Sequence, residues 1–229
     1  MSILKKYNGK IISLGSNCYV KIFLNDILKY KDETQFFDYI GSSMWSINEL
    51  IKNNFDNLFN IDNFEKKQIL YSGDKYIFTN NQYYLRFKHD IKQNYYSSKN
   101  DLKKNDFIEL EKKYNRRKER FIKLLNNDDD NILFIRYEED NFNRVLYHTD
   151  KKKEIEYIKE FIKLIKKKVL FIFLSHTTTD ETNIDDNNIL IIKIEPIRIW
   201  TEAGDKINNI LLQNKELINY YIDSCVVTT

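Results

Sequence analysis

Short apolar runs alternate with longer amphipathic stretches along most of the chain. Four runs carry apolar residues at nearly every position, which favours strands that are buried on both faces: 11–14, 131–137, 169–174 and 188–194. Apolar residues recur every three or four positions, as in amphipathic helices, in five longer stretches: 19–30, 44–59, 101–126, 151–168 and 204–222. This alternation predicts a three-layer α/β fold, with a mainly parallel sheet and helices on both faces.

A different pattern interrupts this alternation at about residues 68–90. Short aromatic-rich segments at Gln68–Tyr71, Tyr76–Phe78 and Tyr83–Phe87 are typical of strands, and Thr79–Gln82 is typical of a hairpin turn. We therefore expect residues 1–229 to form a single α/β domain with an inserted β-hairpin. We expect the hairpin and the long helix that follows it to form an insertion at about 68–126.

Composition excludes several classes of function. The chain has 37 basic and 34 acidic residues, a net charge of +3, which indicates no specific nucleic-acid partner. Neither a secretory leader nor 18 consecutive apolar residues is present, so we expect a cytoplasmic protein without a membrane span. Frequent Lys, Asn and Ile suggest an AT-rich genome; for a viral protein the expected location is the host cytoplasm.

Cofactor signals are also missing from the sequence. The two cysteines, Cys18 and Cys225, are too few and too far apart for a zinc site or a disulfide framework. The chain has no Gly-x-Gly-x-x-Gly motif and no Walker loop, so a nucleotide is not indicated. We expect neither a metal nor another cofactor.

The end of the first apolar run carries a candidate nucleophile. Gly15 allows a sharp bend, and Ser16 and Asn17 are both good helix N-cap residues. Cys18 therefore falls in the first turn of the next helix, where the helix dipole favours a thiolate. The alternative interpretation is that Cys18 is a small hydrophobic residue buried in the core.

Other polar side chains follow the remaining predicted strands. In open parallel sheets, sites form at the carboxyl ends of the strands, which places these groups near Cys18: Arg136, Tyr137, Glu138, Ser175, His176, Thr177 and Glu195. A thiol, an imidazole, a guanidinium and carboxylates at one sheet edge would support acyl transfer.

Three histidines are candidate bases. His148 lies in a polar stretch, which is typical of a surface residue, whereas His176 follows a predicted strand. His89 follows the aromatic hairpin and precedes Asp90. Neighbouring residues of an extended chain point in opposite directions, so His89 and Asp90 do not form a dyad by themselves. Either His89 or Asp90 could still face Cys18, and His176 is the alternative base.

Five short motifs, in order, resemble the papain-like cysteine peptidase family, a group of proteins from bacteria and large DNA viruses. They are Leu14–Cys18, Phe36–Ser43, Phe87–Asp90, Tyr114–Arg117 and Ile132–Tyr137, and the resemblance covers most of residues 10–200. It implies that Cys18 is the nucleophile and His89 its base. It further implies supporting roles for Asp38, Asp90 or Arg136. The family usually has Trp at the position of Tyr39.

A second, weaker resemblance concerns Gly15–Asn17, which is similar to the nucleophile turn of the SGNH-type esterases, also three-layer α/β proteins. It implies Ser16 as the nucleophile. These esterases carry Asp-x-x-His before the last helix, but Trp200–Asp205 contains no histidine. The missing histidine argues against a standard esterase triad.

The sequence thus predicts a cysteine-dependent hydrolase or acyltransferase. Cys18 attacks a carbonyl, His89 or alternatively His176 moves the proton, and N–H groups around residues 17–19 stabilise the oxyanion. Peptide, ester and glycan-linked small substrates all remain open, as does the oligomeric state. The competing prediction is a non-catalytic α/β module that binds a glycan or phosphate ligand through Arg136, His176 and Glu195. A viral interaction protein that retains only the fold is a further alternative.

Overall fold

Two β-sheets and six α-helices form the described part of the chain. The structure, a computed structural model, describes residues 3–30, 33–68, 76–87, 90, 104–127, 131–138, 154–165, 168–176, 183–185, 188–197 and 199–226. The strands are β1 (Lys10–Ser13), β2 (Ile40–Gly41), β3 (Phe64–Gln68), β4 (Tyr76–Asn80), β5 (Leu85–Phe87), β6 (Ile132–Tyr137), β7 (Leu170–Ser175), β8 (Asn183–Asp185) and β9 (Ile189–Lys193). The helices are α1 (Tyr19–Ile22), α2 (Met44–Lys52), α3 (Lys104–Asn126), α4 (Glu154–Leu164), α5 (Ala203–Gln213) and α6 (Lys215–Val226).

The larger sheet has the strand order β1-β6-β7-β9-β8. Its first four strands are parallel, and β8 adds an antiparallel edge to β9. The predicted α/β fold with a mainly parallel sheet is therefore confirmed. The carboxyl ends of β1, β6 and β7 are adjacent, so the polar residues that follow these strands lie along one edge.

The smaller sheet is antiparallel, with the order β2-β5-β4-β3. The predicted hairpin corresponds to β4 and β5, joined by residues 81–84. The structure extends this hairpin on both sides, with β3 beside β4 and β2 beside β5. In the last pairing Ile40 lies opposite Phe87, so the hairpin is joined to the segment that follows α1.

The central strands divide their side chains between two apolar layers. Phe134 and Phe171 face a layer with α2, α3 and α4. Leu133 and Ile172 face the opposite layer, with α1, α5 and α6. This division explains the continuous apolar runs in the sequence, since both faces of each strand are covered.

Three predicted helices differ from the structure in detail. The helix predicted at 44–59 ends at Lys52, and residues 53–59 form turns. The helix predicted at 19–30 is the short α1, continued by a π-helical turn at Phe23–Ile27 in which Leu28 N donates to Phe23 O at 3.2 Å. The helix predicted at 204–222 is two helices separated at Asn214. No helix in the described ranges is both long and apolar enough to cross a bilayer. The single domain with an insertion at about 68–126 stays a prediction.

Candidate active site

A strand-to-helix turn presents Cys18 at the edge of the larger sheet. Leu14 N donates to Ile135 O at 3.0 Å, and the chain then leaves the sheet through two residues with left-handed backbone, Gly15 (φ +66°) and Ser16 (φ +69°). Cys18 is the N-cap of α1, with φ −82° and ψ −2°, and its carbonyl accepts from Ile22 N at 2.9 Å. Its side chain is half-buried. Cys18 therefore lies at the start of the first helix, as the sequence suggests.

The turn packs tightly against the segment that contains β2. A Cβ atom at Gly15 would lie 2.5 Å from Ser42 Oγ, 3.1 Å from Ile40 O and 3.2 Å from Phe37 O. No side chain fits here, so glycine is required both for space and for its positive φ. The motifs at Leu14–Cys18 and Phe36–Ser43, which are far apart in sequence, thus lie against each other.

The two polar atoms of the Asn17 side chain differ in their hydrogen bonding. Its Oδ1 accepts from Tyr19 N at 2.9 Å, so in this conformation the Tyr19 N–H is not available to an oxyanion. Its Nδ2 is buried and has no hydrogen-bond partner among the described residues. The side-chain amide of Asn17 is therefore a better candidate oxyanion donor than the N–H of Tyr19. Ser16, at 3% exposed, is far less accessible than Cys18.

One face of α1 packs against residues 35–39. Lys21 Nζ lies 2.9 Å from Asp38 Oδ2, and both side chains are almost fully buried. Asn25 Nδ2, from the next turn, donates to Tyr39 Oη at 3.3 Å. Residues three or four apart share a helix face, so Lys21 and Asn25 mark the side of this helical segment that faces residues 35–39.

Asp38 is the buried carboxyl group closest in sequence to the turn. Its Oδ2 accepts from Gln35 N at 2.7 Å in addition to the contact with Lys21. Burial raises the pKa of Asp38 above its usual 3.8, and the nearby charges of Lys21 and Arg117 oppose this increase. Lys21 itself was not predicted as a site residue, although its position three residues after Cys18 was a usable signal.

Asp90 is held by α3. Tyr114 Oη donates to Asp90 Oδ2 at 2.5 Å, and Lys113 Nζ donates to Oδ1. Burial and the adjacent Asp90 carboxylate raise the pKa of Tyr114 well above 10.0. The carboxylate of Asp90 is thus oriented by α3. His89 and His148 lie outside the described residues.

Arg136 braces the turn from the neighbouring strand. Its Nη1 donates to Leu14 O at 2.6 Å, its Nη2 donates to Ser42 O at 2.8 Å, and its Nε donates to Glu154 Oε1 at 2.8 Å. The residue is only 2% exposed. Arg136 therefore supports the site by fixing its backbone. Glu195 is exposed, and the alternative ligand-binding role of Arg136, His176 and Glu195 stays a prediction.

A second group of polar side chains follows β6 and β7. Glu138 Oε2 accepts from the hydroxyl of Ser175 and from His176 N, and it lies 3.7 Å from His176 Nδ1. The ring of His176 stacks on Tyr137 with centroids 6.5 Å apart, and Tyr137 contacts Tyr19 at 5.4 Å. His176 thus has a carboxylate neighbour, and Tyr137 contacts both its ring and the ring of Tyr19, the residue that follows Cys18. Thr177 lies outside the described residues.

No metal site is evident in the described ranges, where no group of three His, Cys, Asp or Glu side chains could hold an ion. A comparison with protein families gives a match over most of the chain. The model of a family described as putative papain-like cysteine peptidase matches residues 9–175, which include Cys18, Asp38, His89 and Arg136 and end just before His176. No curated protein and no solved structure matches the chain significantly.

Proposed function

The chain belongs to the putative papain-like cysteine peptidase family, and on this premise we propose that it is a cysteine-dependent hydrolase or acyltransferase acting on peptides. The family description supports a peptide substrate over the ester and glycan-linked alternatives. The observation that carries the proposal is the presentation of Cys18. Two consecutive left-handed residues turn the chain out of the sheet, and the half-buried thiol begins the next helix. This arrangement supports the proposal because it fixes the backbone of Cys18 at the sheet edge without burying the residue completely.

In the proposed reaction, His89 removes the proton of the Cys18 thiol and the thiolate attacks the carbonyl carbon of the substrate. The oxyanion accepts a hydrogen bond from Asn17 Nδ2, an atom that has no hydrogen-bond partner in the described ranges. His89 returns the proton to the leaving amine and leaves a thioester on Cys18. Water then hydrolyses the thioester with the same histidine as base, or a second amine accepts the acyl group.

The residues on both sides of His89 support its role. Phe87 lies opposite Ile40 in the smaller sheet, and Ile40 is two residues from Asp38, which is bonded to α1 through Lys21. Asp90 is held by Tyr114. The chain before and after His89 is therefore tied to the segment and the helix that surround the candidate site.

His176 is the alternative base, and its contact with Glu138 supports it. A carboxylate 3.7 Å from Nδ1 would orient the imidazole, as the third member of a triad does. His176 also lies at the same sheet edge as Cys18, because it follows β7. The two histidines thus give two explicit versions of the same mechanism.

The decisive experiment measures the rate of Cys18 alkylation by iodoacetamide as a function of pH. A Cys225→Ser background avoids labelling of the other cysteine. We expect a thiol pKa well below 8.5 in this background and a higher pKa in the variant that lacks the base, either His89→Ala or His176→Ala. His148→Ala is the matched control and should leave the pKa unchanged. A pKa near 8.5 that responds to neither variant would refute the proposal.

Turnover is tested separately on a mixture of peptides. Cleavage or acyl transfer should disappear in Cys18→Ala and persist in Ser16→Ala if the thiol is the nucleophile. Loss of turnover in Ser16→Ala with activity retained in Cys18→Ala would instead favour an esterase-like serine mechanism.

A further inference from the structure

Two aromatic rings meet where the smaller sheet joins α2. Trp45 lies in the first turn of α2, and Tyr84 ends the turn between β4 and β5. Their ring centroids are 5.5 Å apart, and the two ring planes are inclined by 53°. We call these residues the Trp45–Tyr84 pair. Both are half-buried, so part of the pair lies at the protein surface.

The backbone of Tyr84 has an unfavourable conformation that the surrounding hairpin holds in place. Its φ is +50°, a value that bulky L-residues rarely adopt. In the residue before it, Tyr83 N donates to Asn80 Oδ1 at 2.9 Å and Tyr83 Oη donates to Asp56 O at 2.7 Å. Asn80 Nδ2 in turn donates to Leu58 O at 2.8 Å. Backbone strain that the surroundings fix in this way concentrates at ligand clamps and active sites, so the strained position points to a binding role for the ring.

Carboxylates lie near this pair. Glu49 is half-buried and follows the tryptophan by four residues, which places it on the same face of α2. Burial and then the negative charges of Asp56 and Glu49 raise the pKa of Tyr83, so both carboxylates act on this end of the hairpin. Lys52 Nζ lies 2.8 Å from Glu49 Oε1 and 2.8 Å from Glu160 Oε1, so its single charge is shared between two carboxylates. Aromatic faces with carboxylates beside them favour a cationic ligand.

We propose that the Trp45–Tyr84 pair binds a lysine or arginine side chain of the peptide substrate. This inference rests on the proposed function and deepens it, because it names the class of peptide. The face of a Trp or Tyr ring attracts an ammonium or guanidinium group within about 6 Å of its centroid. The neighbouring carboxylates favour the same charge and disfavour an acidic side chain at this position.

Short segments connect the pair to the turn that carries Cys18. A Cβ atom at Gly15 of that turn would lie 2.5 Å from Ser42 Oγ, and Trp45 follows Ser42 by three residues. Cys18 likewise follows Gly15 by three residues. Since consecutive Cα atoms are about 3.8 Å apart, each of these two links spans at most about 11 Å. An extended peptide of about nine residues, at about 3.3 Å per residue, therefore covers the whole distance.

Trp45 itself can report the binding, because the chain has only two tryptophans. A Cys18→Ala, Trp200→Phe protein removes the thiol and leaves Trp45 as the single tryptophan. The probes are acetylated and amidated Gly/Ser peptides of about nine residues with one central lysine, norleucine or glutamate. We expect a saturable change in Trp45 emission with the lysine peptide and about tenfold weaker binding of the norleucine peptide, which is as long but uncharged.

Substitutions in the same protein test the two parts of the site. Tyr84→Leu keeps an apolar contact but removes the aromatic face, and it should weaken binding of the lysine peptide about tenfold. Glu49→Gln should weaken it severalfold. Tyr220→Leu is the matched control, because this tyrosine of α6 is 66% exposed, and it should have no effect. Urea unfolding shows that the variants compared are folded, and Glu49→Gln remains informative if Tyr84→Leu does not fold.

The remaining outcomes separate this inference from the proposed function. Equal affinities for the lysine peptide and either of the other two, no change in Trp45 emission, or unchanged affinity in Tyr84→Leu would each overturn the binding role of the pair. A Cys18 pKa near 8.5 that no histidine variant changes would refute the proposed enzyme but leave a measured preference for lysine intact. A depressed Cys18 pKa without that preference would overturn only the role of the pair.

Discussion

Replacing Gly15 by Ala tests whether the turn before Cys18 depends on glycine. At φ +66° an L-residue costs about 1–2 kcal/mol more than glycine. The new Cβ would also lie 2.5 Å from Ser42 Oγ, which can rotate away, and 3.1 and 3.2 Å from two backbone carbonyls, which cannot. Overpacking of this kind costs about 1–3 kcal/mol. We therefore expect Gly15→Ala to lower the free energy of unfolding by about 2–5 kcal/mol.

Equilibrium unfolding in urea measures this loss. With a slope of about 2 kcal/mol/M, the midpoint should fall by about 1–2.5 M. Gly204→Ala in α5 is the matched control, because its Cβ would meet only Ile27 and Ile22 side-chain atoms at 3.3 Å or more. Alanine is also the better helix former, so this control should stay within about 1 kcal/mol of wild type. Equal midpoints for wild type and Gly15→Ala would refute the argument from the turn.

Two further predictions concern the groups around the turn. Arg136→Met leaves Glu154 without its buried cation and should cost about 3–5 kcal/mol in urea unfolding, whereas the exposed Arg116→Met should change stability by under about 0.5 kcal/mol. Equal losses of stability in Arg136→Met and Arg116→Met would contradict the role of Arg136 in bracing the turn. Burial raises the pKa of Asp38, so folding favours its protonated form, and the stability of wild type relative to Asp38→Asn should be highest below pH 3.8. This difference in stability should fall as the pH rises through the raised pKa of Asp38 in the folded protein. Urea unfolding of both proteins between about pH 3 and 7 measures it. A stability difference that increases with pH would contradict the prediction.

The fold was largely predictable because its signals are local. Runs such as Ile132–Tyr137 and Leu170–Ser175 are apolar at nearly every position, and the structure buries both faces of these strands. Smaller elements escaped prediction for physical reasons. The two-residue strand Ile40–Gly41 exists through its pairing with Phe87 and Arg86, which no periodicity announces. The break at Asn214 is likewise a local turn inside an otherwise continuous helical pattern.

In the candidate site, too, the features that depend on neighbouring residues were predictable and the contacts between distant segments were not. The position of Cys18 followed from its own neighbours, since strand, glycine and N-cap residues are contiguous in sequence. The placement of Glu138 and His176 near each other followed from the rule for strand ends. Contacts between distant segments could not be predicted from the sequence. The pairing of Lys21 with Asp38 and the three acceptors of Arg136 depend on tertiary packing. The pairing of Cys18 with His89 or His176 stays a prediction.

The position of Arg136 in the chain has a consequence for biosynthesis. Its carbonyl acceptors, Leu14 and Ser42, precede it by 122 and 94 residues, and its carboxylate partner Glu154 comes 18 residues later. A nascent chain therefore emerges from the ribosome with its thiol region already synthesised but without the guanidinium that fixes it. Closure of these distant contacts awaits translation through Glu154. The turn that carries Cys18 would then reach its final geometry late in synthesis, only after both β6 and α4 have been made.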